Sequence, residues 1–446
     1  MSTETTPHYL SGHLAPVPDE TEAFDLPVTG ALPPELTGRY FRNGPNPRPG
    51  EDPGHWFGGH GMLHGVRLRD GRAEWYRNRW VRTGKLAGDP FVRPDGTLDR
   101  AAVSANTHVI GHAGRILALV EAGLPYEVTR GLDTVGPVDF GGRLTTAMTA
   151  HPKQDPVTGD LHFFGYGALP PYLTYHRLDT SGALVRSREI EVPGGTMMHD
   201  FAITEHHVVW LDLPLTFHAD LVARGMPYQW DDAYGARLGL MRHDGADVQW
   251  FDIEPCYVFH VGNAHEESGR VVLDAVRYGR AEFAALWGAA GGSTSPADGS
   301  EPSAMPRLYR WTLDPSTGTV AERPLDDRGI EFPTLDDARV GRPARHLYAA
   351  QENAVVKYDL ATGAATAHTL PEDTAVGEAV FVPATRGPRR EDDGWLLTIT
   401  TRRDASASRL LVLDASDPSG PPVAAVDLPR AVPAGFHGSW LPDDPA

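Results

Sequence analysis

"CYVFHVGNAHEE", residues 256–267, holds the only cysteine of the chain, two histidines and a closing acidic pair. In a strand, alternate residues share a face. Cys256, Val258 and His260 then point one way, and Tyr257, Phe259 and Val261 the other. Gly262 and Asn263 are expected to end the strand. His260 and His265 stand four apart, a spacing that pairs side chains only on a helix, and the Gly-Asn break opposes a helix. At most one of the two is therefore expected to face a site, and His260 is the one inside the strand. A lone Cys256 in an apolar run reads as a buried, unreactive thiol. One cysteine also excludes an intrachain disulfide and a thiolate zinc site.

Similar short runs extend in both directions: "RILALVE" (115–121), "DLHFFGYG" (160–167), "HVVWLDLP" (207–214), "RVVLDAVRY" (270–278), "NAVVKYDL" (353–360) and "RLLVLDAS" (409–416). Several are followed by Asp-to-Gly turns such as "DPVTGD" and "DPSTGT", a hairpin signature. Only "ELTGRY" (35–40) and "AEFAALWGAA" (281–290) suggest short helices. Many strands with frequent turns predict a sandwich, a barrel or a propeller. The 446 residues exceed an ordinary single core, so a ring built of repeats suits them. No linker divides the chain. One domain over 1–446 is expected, with 1–24 as an N-terminal extension and the polar tract 288–306 as a mobile surface loop.

The net charge of −19 argues against a nucleic-acid partner, because phosphate binding needs a basic face. The start, "MSTETTPHYLSGHLAPVPDE", has neither the basic nor the apolar region of a signal peptide. No run of about 18 apolar residues is present. The expectation is a cytoplasmic protein, with peripheral membrane contact left open.

Three more histidines resemble His260 in setting. "GTMMHDFAIT" places His199 among apolar residues, "PAGFHGSWLP" places His437 beside glycines, and "TAHPKQDPVTGD" places His151 before a hairpin. Alone, each reads as a satisfied buried imidazole. Together, their separations of 48, 61 and 177 residues are about one, one and three blades of a seven-bladed ring. A propeller brings the inner strand of every blade to one axis, so one histidine per blade could meet there. In "HWFGGHGMLHG" (55–65) the glycines oppose a helix, and His55, His60 and His64 read as structural. Adjacent His206 and His207 should point to opposite faces, neither as a ligand.

With these residues the sequence resembles the carotenoid cleavage oxygenase family, which includes apocarotenoid oxygenases, stilbene-cleaving dioxygenases and retinal-pigment-epithelium isomerases. The resemblance runs from about residue 25 to 442. Its carriers include "GRYFRNGPNP" (38–47), "HWFGGHGMLHGV" (55–66), "ANTHVI" (105–110), "LVEAGLPYEV" (119–128), "AHPKQDPVTGDLHFFGY" (150–166), "MMHDFAIT" (197–204), "FHVGNAHEE" (259–267), "GEAVFVP" (377–383) and "GFHGSWLP" (435–442). It implies an all-β fold, a seven-bladed β-propeller with loops and short helices capping an axial iron site. It implies one Fe(II) per chain held by His151, His199, His260 and His437, with Glu121, Glu331 and Glu378 behind three of them. Taken alone, each glutamate reads as a solvated strand end.

The implied activity is cleavage of a C=C bond of a carotenoid or apocarotenoid by O2, giving aldehydes or ketones. A monomer is expected. Four neutral imidazoles leave the charge of the ion intact, carboxylates behind them orient the rings, and two positions stay open. No general acid or base is required; binding and positioning do the protein's work. An apolar tunnel is expected, with Phe57, Phe259 and Phe436 as candidate wall residues. Stilbene-cleaving relatives carry a Lys just before the first of the glutamates, and this chain has Val120, which leaves the site apolar and favours a polyene. The alternatives are a resveratrol- or isoeugenol-type aryl-alkene oxygenase and a non-catalytic propeller scaffold. "HWFGGHG" departs from the acidic "DGD" common at that place in the family.

Overall fold

The structure is a computed structural model and describes residues 6–292, 305–385 and 388–443. Seven sheets surround one axis. The first blade contains Gly38–Pro45, Gly61–Arg69 and Arg72–Trp80. The second opens with His108–His112, the third with Lys153–Gln154, the fourth with Ala202–Ile203, the fifth with Val261–Glu267 and the sixth with Glu331–Thr334. The seventh is built on Gly394–Arg402, with Thr374–Val376 and Val380–Pro383 both pairing to its inner side. A two-stranded ribbon, Leu215–Phe217 with Tyr228–Trp230, lies outside the ring.

Both ends of the chain close the ring. Gly438–Pro442 adds to the inner edge of the first blade by pairing with Gly38–Pro45. Val28–Gly30 adds to the outer edge of the seventh by pairing with Ala424–Asp427. These pairings cover edges that would otherwise present free backbone groups. Within the tract 1–24, Thr21–Phe24 forms the outer strand of the first blade.

Burial follows position in the blade. Leu161–Tyr166, covered on both faces, is almost wholly buried, whereas the outer strand Leu184–Ile190 alternates in and out. The largest apolar cluster spans the fourth to sixth blades and includes Cys256, whose thiol burial pushes up to about 12. The hairpin "DPVTGD" forms as expected: Asp155 Oδ1 accepts from the Val157 N–H at 2.8 Å, and Gly159 takes a positive φ of 75°.

Three local expectations are corrected. "ELTGRY" is a turn leading into the strand Gly38–Pro45, not a helix; Gly38 sits so close to Trp440 and Leu441 that it must lie in the sheet. The strand after Phe259 does not end at Gly262-Asn263. It begins at Val261 and runs to Glu267, with a bulge between Val261 and Asn263, and His260 precedes it. His206 and His207 converge on one carboxylate, that of Glu266, each at 3.0 Å, because His206 lies in the turn before the strand and does not alternate with His207. "AEFAALWGAA" does form helix, within Arg280–Ala289. Of the tract 288–306, residues 293–304 lie outside the described residues. Among the described residues no helix is long and apolar enough to cross a membrane.

Candidate metal centre

The inner strands begin at one end of the axis, so the residues at their starts meet there. His437 precedes Gly438, His151 stands two residues before Lys153, His199 three before Ala202, and His260 directly before Val261. The four imidazoles form a cluster. Ring centroids of His151 lie 4.5 Å from His199, 5.3 Å from His260 and 4.6 Å from His437; His260 and His437 are 4.7 Å apart.

Three of the rings are backed by carboxylates. Glu331 Oε2 accepts from His260 Nδ1 at 2.5 Å, Glu378 Oε1 from His437 Nδ1 at 2.9 Å, and Glu121 Oε1 contacts His199 Nδ1. Each contact fixes the Nδ1–H tautomer and leaves the Nε2 lone pair for the axis. The carboxylates are held in turn. Tyr278 donates to Glu331 Oε1 and Tyr166 to Glu121 Oε2, both at 2.5 Å, while the Gly438 N–H reaches Glu378 Oε2 at 2.7 Å.

The donor set fits one metal ion. His151 Nε2 and His199 Nε2 are 3.0 Å apart. Two imidazole nitrogens bound at right angles to a first-row ion, with bonds of about 2.1 Å, stand about 3.0 Å apart. Ligand atoms of His151, His199 and His260 all lie within 4.8 Å of one another. Burial, then the neighbouring His199, His437 and His260, holds His151 well below the usual histidine range. Burial also lowers His437, against the pull of Glu378. Both are thus neutral, as ligation requires. For His199, burial pulls the same way, but Glu121 outweighs it and the pKa ends raised.

Two different surroundings flank the cluster. On one side lies an aromatic group. Phe259 stands edge-on to His199 at 5.2 Å, Phe57 is 6.2 Å from Phe259, and Phe436 is 5.3 Å from Phe57. These three expected wall residues therefore adjoin one another. Trp56, Phe283 and Trp287 extend the group. Val120 is packed instead against the cluster of Val103, Ala105 and Tyr126. On the other side an axial cavity of about 1310 Å³ reaches His151, His260 and His437. Its walls mix apolar residues such as Val261 and Phe332 with charged ones, among them Lys153, which pairs with buried Asp200 at 2.8 Å.

Other residues at the site carried no assignment in the sequence. Tyr166 and Tyr278 are far from their carboxylates in the chain. Asp200, next to His199, accepts from the Val261 N–H at 2.7 Å and so ties together the segments bearing His199 and His260. His108 begins the inner strand of the second blade and lies 5.2 Å from His437. A signal for it existed, since it occupies in its blade the place that ligand candidates occupy in others.

The profile of the retinal pigment epithelial membrane protein family matches residues 14–442. A carotenoid cleavage oxygenase of Mycobacterium tuberculosis is 41% identical, with 99% of each chain covered. The chain belongs to the carotenoid cleavage oxygenase family. Its ring matches the crystal structure of Pseudomonas brassicacearum lignostilbene dioxygenase with a TM-score of 0.87 at 29% identity, covering 99% of this chain and all (100%) of the other. It matches a cobalt-substituted Synechocystis ACO with a TM-score of 0.82 at 29% identity, covering 96% and 97%. As a member of the carotenoid cleavage oxygenase family this chain is an oxygenase, and its histidine cluster is a metal-ion site.

Proposed function

We propose that this oxygenase cleaves a C=C bond of a carotenoid or apocarotenoid, with one Fe(II) held by His151, His199, His260 and His437. The observation that carries the reading is the convergence of those imidazoles, three with Nδ1 on a carboxylate and Nε2 left for the ion. Iron bound there would supply the electrons and open positions by which dioxygen is activated. The balance is simple: the alkene and O2 become two carbonyls, one oxygen on each former alkene carbon.

The residues of this chain do the rest. Glu121, Glu331 and Glu378 orient the imidazoles and offset the charge of the ion without taking a coordination position. Phe57, Phe259 and Phe436 offer flat apolar surface to a polyene and keep water from the reacting bond.

A second reading, cleavage of a stilbene-type aryl alkene, is favoured by the likeness to the lignostilbene dioxygenase. Iron-loaded protein incubated with a β-apocarotenal, β-carotene, resveratrol and isoeugenol, with products identified by mass, separates the two. The expected result is carbonyl products from the apocarotenal or carotene. Products from resveratrol or isoeugenol alone overturn the first reading in favour of the second.

A further inference from the structure

A second set of donors lies between the third and fourth blades, away from the axial histidines. Asp155 opens the hairpin before Leu161–Tyr166, His162 is the second residue of that strand, and His243 follows Arg237–Arg242. One ligand atom from each lies within 4.8 Å of the others, and the two rings are 4.7 Å apart. Among the described residues no hydrogen bond joins any two of these three side chains; each spends its other polar atom elsewhere.

We propose that Asp155, His162 and His243 form a second site for a divalent metal of the zinc class. Two imidazoles and one carboxylate are a complete protein donor set for such an ion, with a position left for water.

The outer contacts select the binding atoms. His243 Nε2 donates to the His207 carbonyl at 3.0 Å, which leaves its Nδ1 with the lone pair. With His162 Nδ1–H donating to the Tyr175 hydroxyl oxygen at 2.7 Å, the Nε2 lone pair is left for the ion. Partners of this kind orient metal-binding imidazoles. Asp155 Oδ1 accepts from the Val157 and Thr158 N–H groups at 2.8 and 3.3 Å, so its second oxygen is the one left over. Burial, with His243 next, lowers His162 to about 3, and burial also lowers His243, so both rings are neutral at ordinary pH. Two arginines are the competing cations. Arg177 is paired to Asp160 at 3.4 Å, and Arg342 stands 3.6 Å from the Asp155 oxygen already used by the turn. A metal here staples two neighbouring blades.

The test is a Zn²⁺ titration of metal-free full-length protein, with bound zinc counted by elemental analysis. Wild-type protein should take up two equivalents. Asp155→Asn, which keeps the turn acceptor, and His243→Ala, at a strand end, should each reduce this to one. His199→Ala/His260→Ala should lose the other equivalent and keep this one, and Zn²⁺ should still raise its thermal midpoint. A single equivalent in the wild type overturns the proposal. So do two equivalents in the Asp155 and His243 variants, which place the second ion elsewhere. Because the axial variant is read separately, failure here and failure of the four-histidine reading give different patterns.

Discussion

His108 Nδ1 donates to the Ala150 carbonyl at 2.9 Å, directly before His151, the one imidazole of the four with no glutamate behind it. His108 Nε2 lies 3.4 Å from Ser439 Oγ, two residues beyond His437. This ring thus ties the strand that follows His437 to the segment bearing His151, and it fixes through backbone what the glutamates fix through side chains. Replacing His108 by Leu should weaken metal binding by about tenfold, the lower range for loss of an outer partner. His108→Asn, whose amide can donate in place of Nδ1, should recover most of it. Metal affinity measured by competition with a chelator checks this; equal affinities in the Leu variant and the wild type would leave His108 a packing residue.

Glu331 is the most heavily used of the three carboxylates. It accepts from His260, Tyr278 and its neighbour's Phe332 N–H, the last at 2.6 Å. Phe332 carries a φ of 52°, a strained value for a bulky residue, and stacks on the His260 ring at 5.0 Å. Tyr278→Phe removes one donor while leaving the ring volume. A buried acceptor left unpaired costs about 1–3 kcal/mol. The expected outcome is a lower thermal midpoint and metal affinity reduced about tenfold, with Glu331→Gln losing more. Calorimetry of metal binding in the two variants checks the order.

The contrast between legible and hidden residues follows from range. Strand runs and their Asp-Gly turns are local, so Leu161–Tyr166 and its hairpin were readable from the sequence. His151, His199, His260 and His437 were readable as similar settings, and their gathering needed only the idea of a ring plus the family resemblance. The bulge at Val261–Asn263 was not readable, because Gly-Asn looks the same when it ends a strand and when it kinks one. Tyr278 on Glu331 and His108 on Ala150 were hidden because nothing local distinguishes a tyrosine or histidine with a distant polar partner from one packed in a core. The Glu266 pairing of His206 and His207 was hidden because the strand starts one residue later than the alternation assumed.

His55 predicts acid sensitivity. Its Nδ1 accepts from the Phe57 N–H at 3.0 Å, and burial pushes its pKa down to about 3. In the unfolded chain it titrates near about 6.5, so between those values the unfolded state binds a proton that the folded state refuses. The stability it contributes is complete above about pH 6.5 and is lost progressively as pH falls toward 3. The thermal midpoint should therefore fall on acidification through this window. His55→Asn, which keeps an acceptor for Phe57 and does not titrate, should show a shallower fall at constant ionic strength. Equal slopes would assign the acid sensitivity to other groups.

Gly435 links ring closure to the metal centre. A Cβ at this position would lie 2.7 Å from the Asn43 carbonyl oxygen and 3.0 Å from Arg42 Nε. The chains are held that close by two backbone bonds of 2.9 Å, Phe436 N–H to Asn43 O and Asn43 N–H to His437 O. Arg42 is itself buried and cannot swing into solvent. Gly435→Ala must therefore push the closing segment away from the first blade, at a cost of about 1–3 kcal/mol for overpacking. His437 lies two residues on and moves with it. The expected outcome is a lowered thermal midpoint together with reduced metal occupancy. At Gly420, by contrast, an added Cβ would meet only the Asp417 carbonyl, at an ordinary 3.7 Å, so Gly420→Ala should change neither quantity. If Gly435→Ala lowers stability yet binds metal as tightly as the wild type, ring closure and the metal centre are independent.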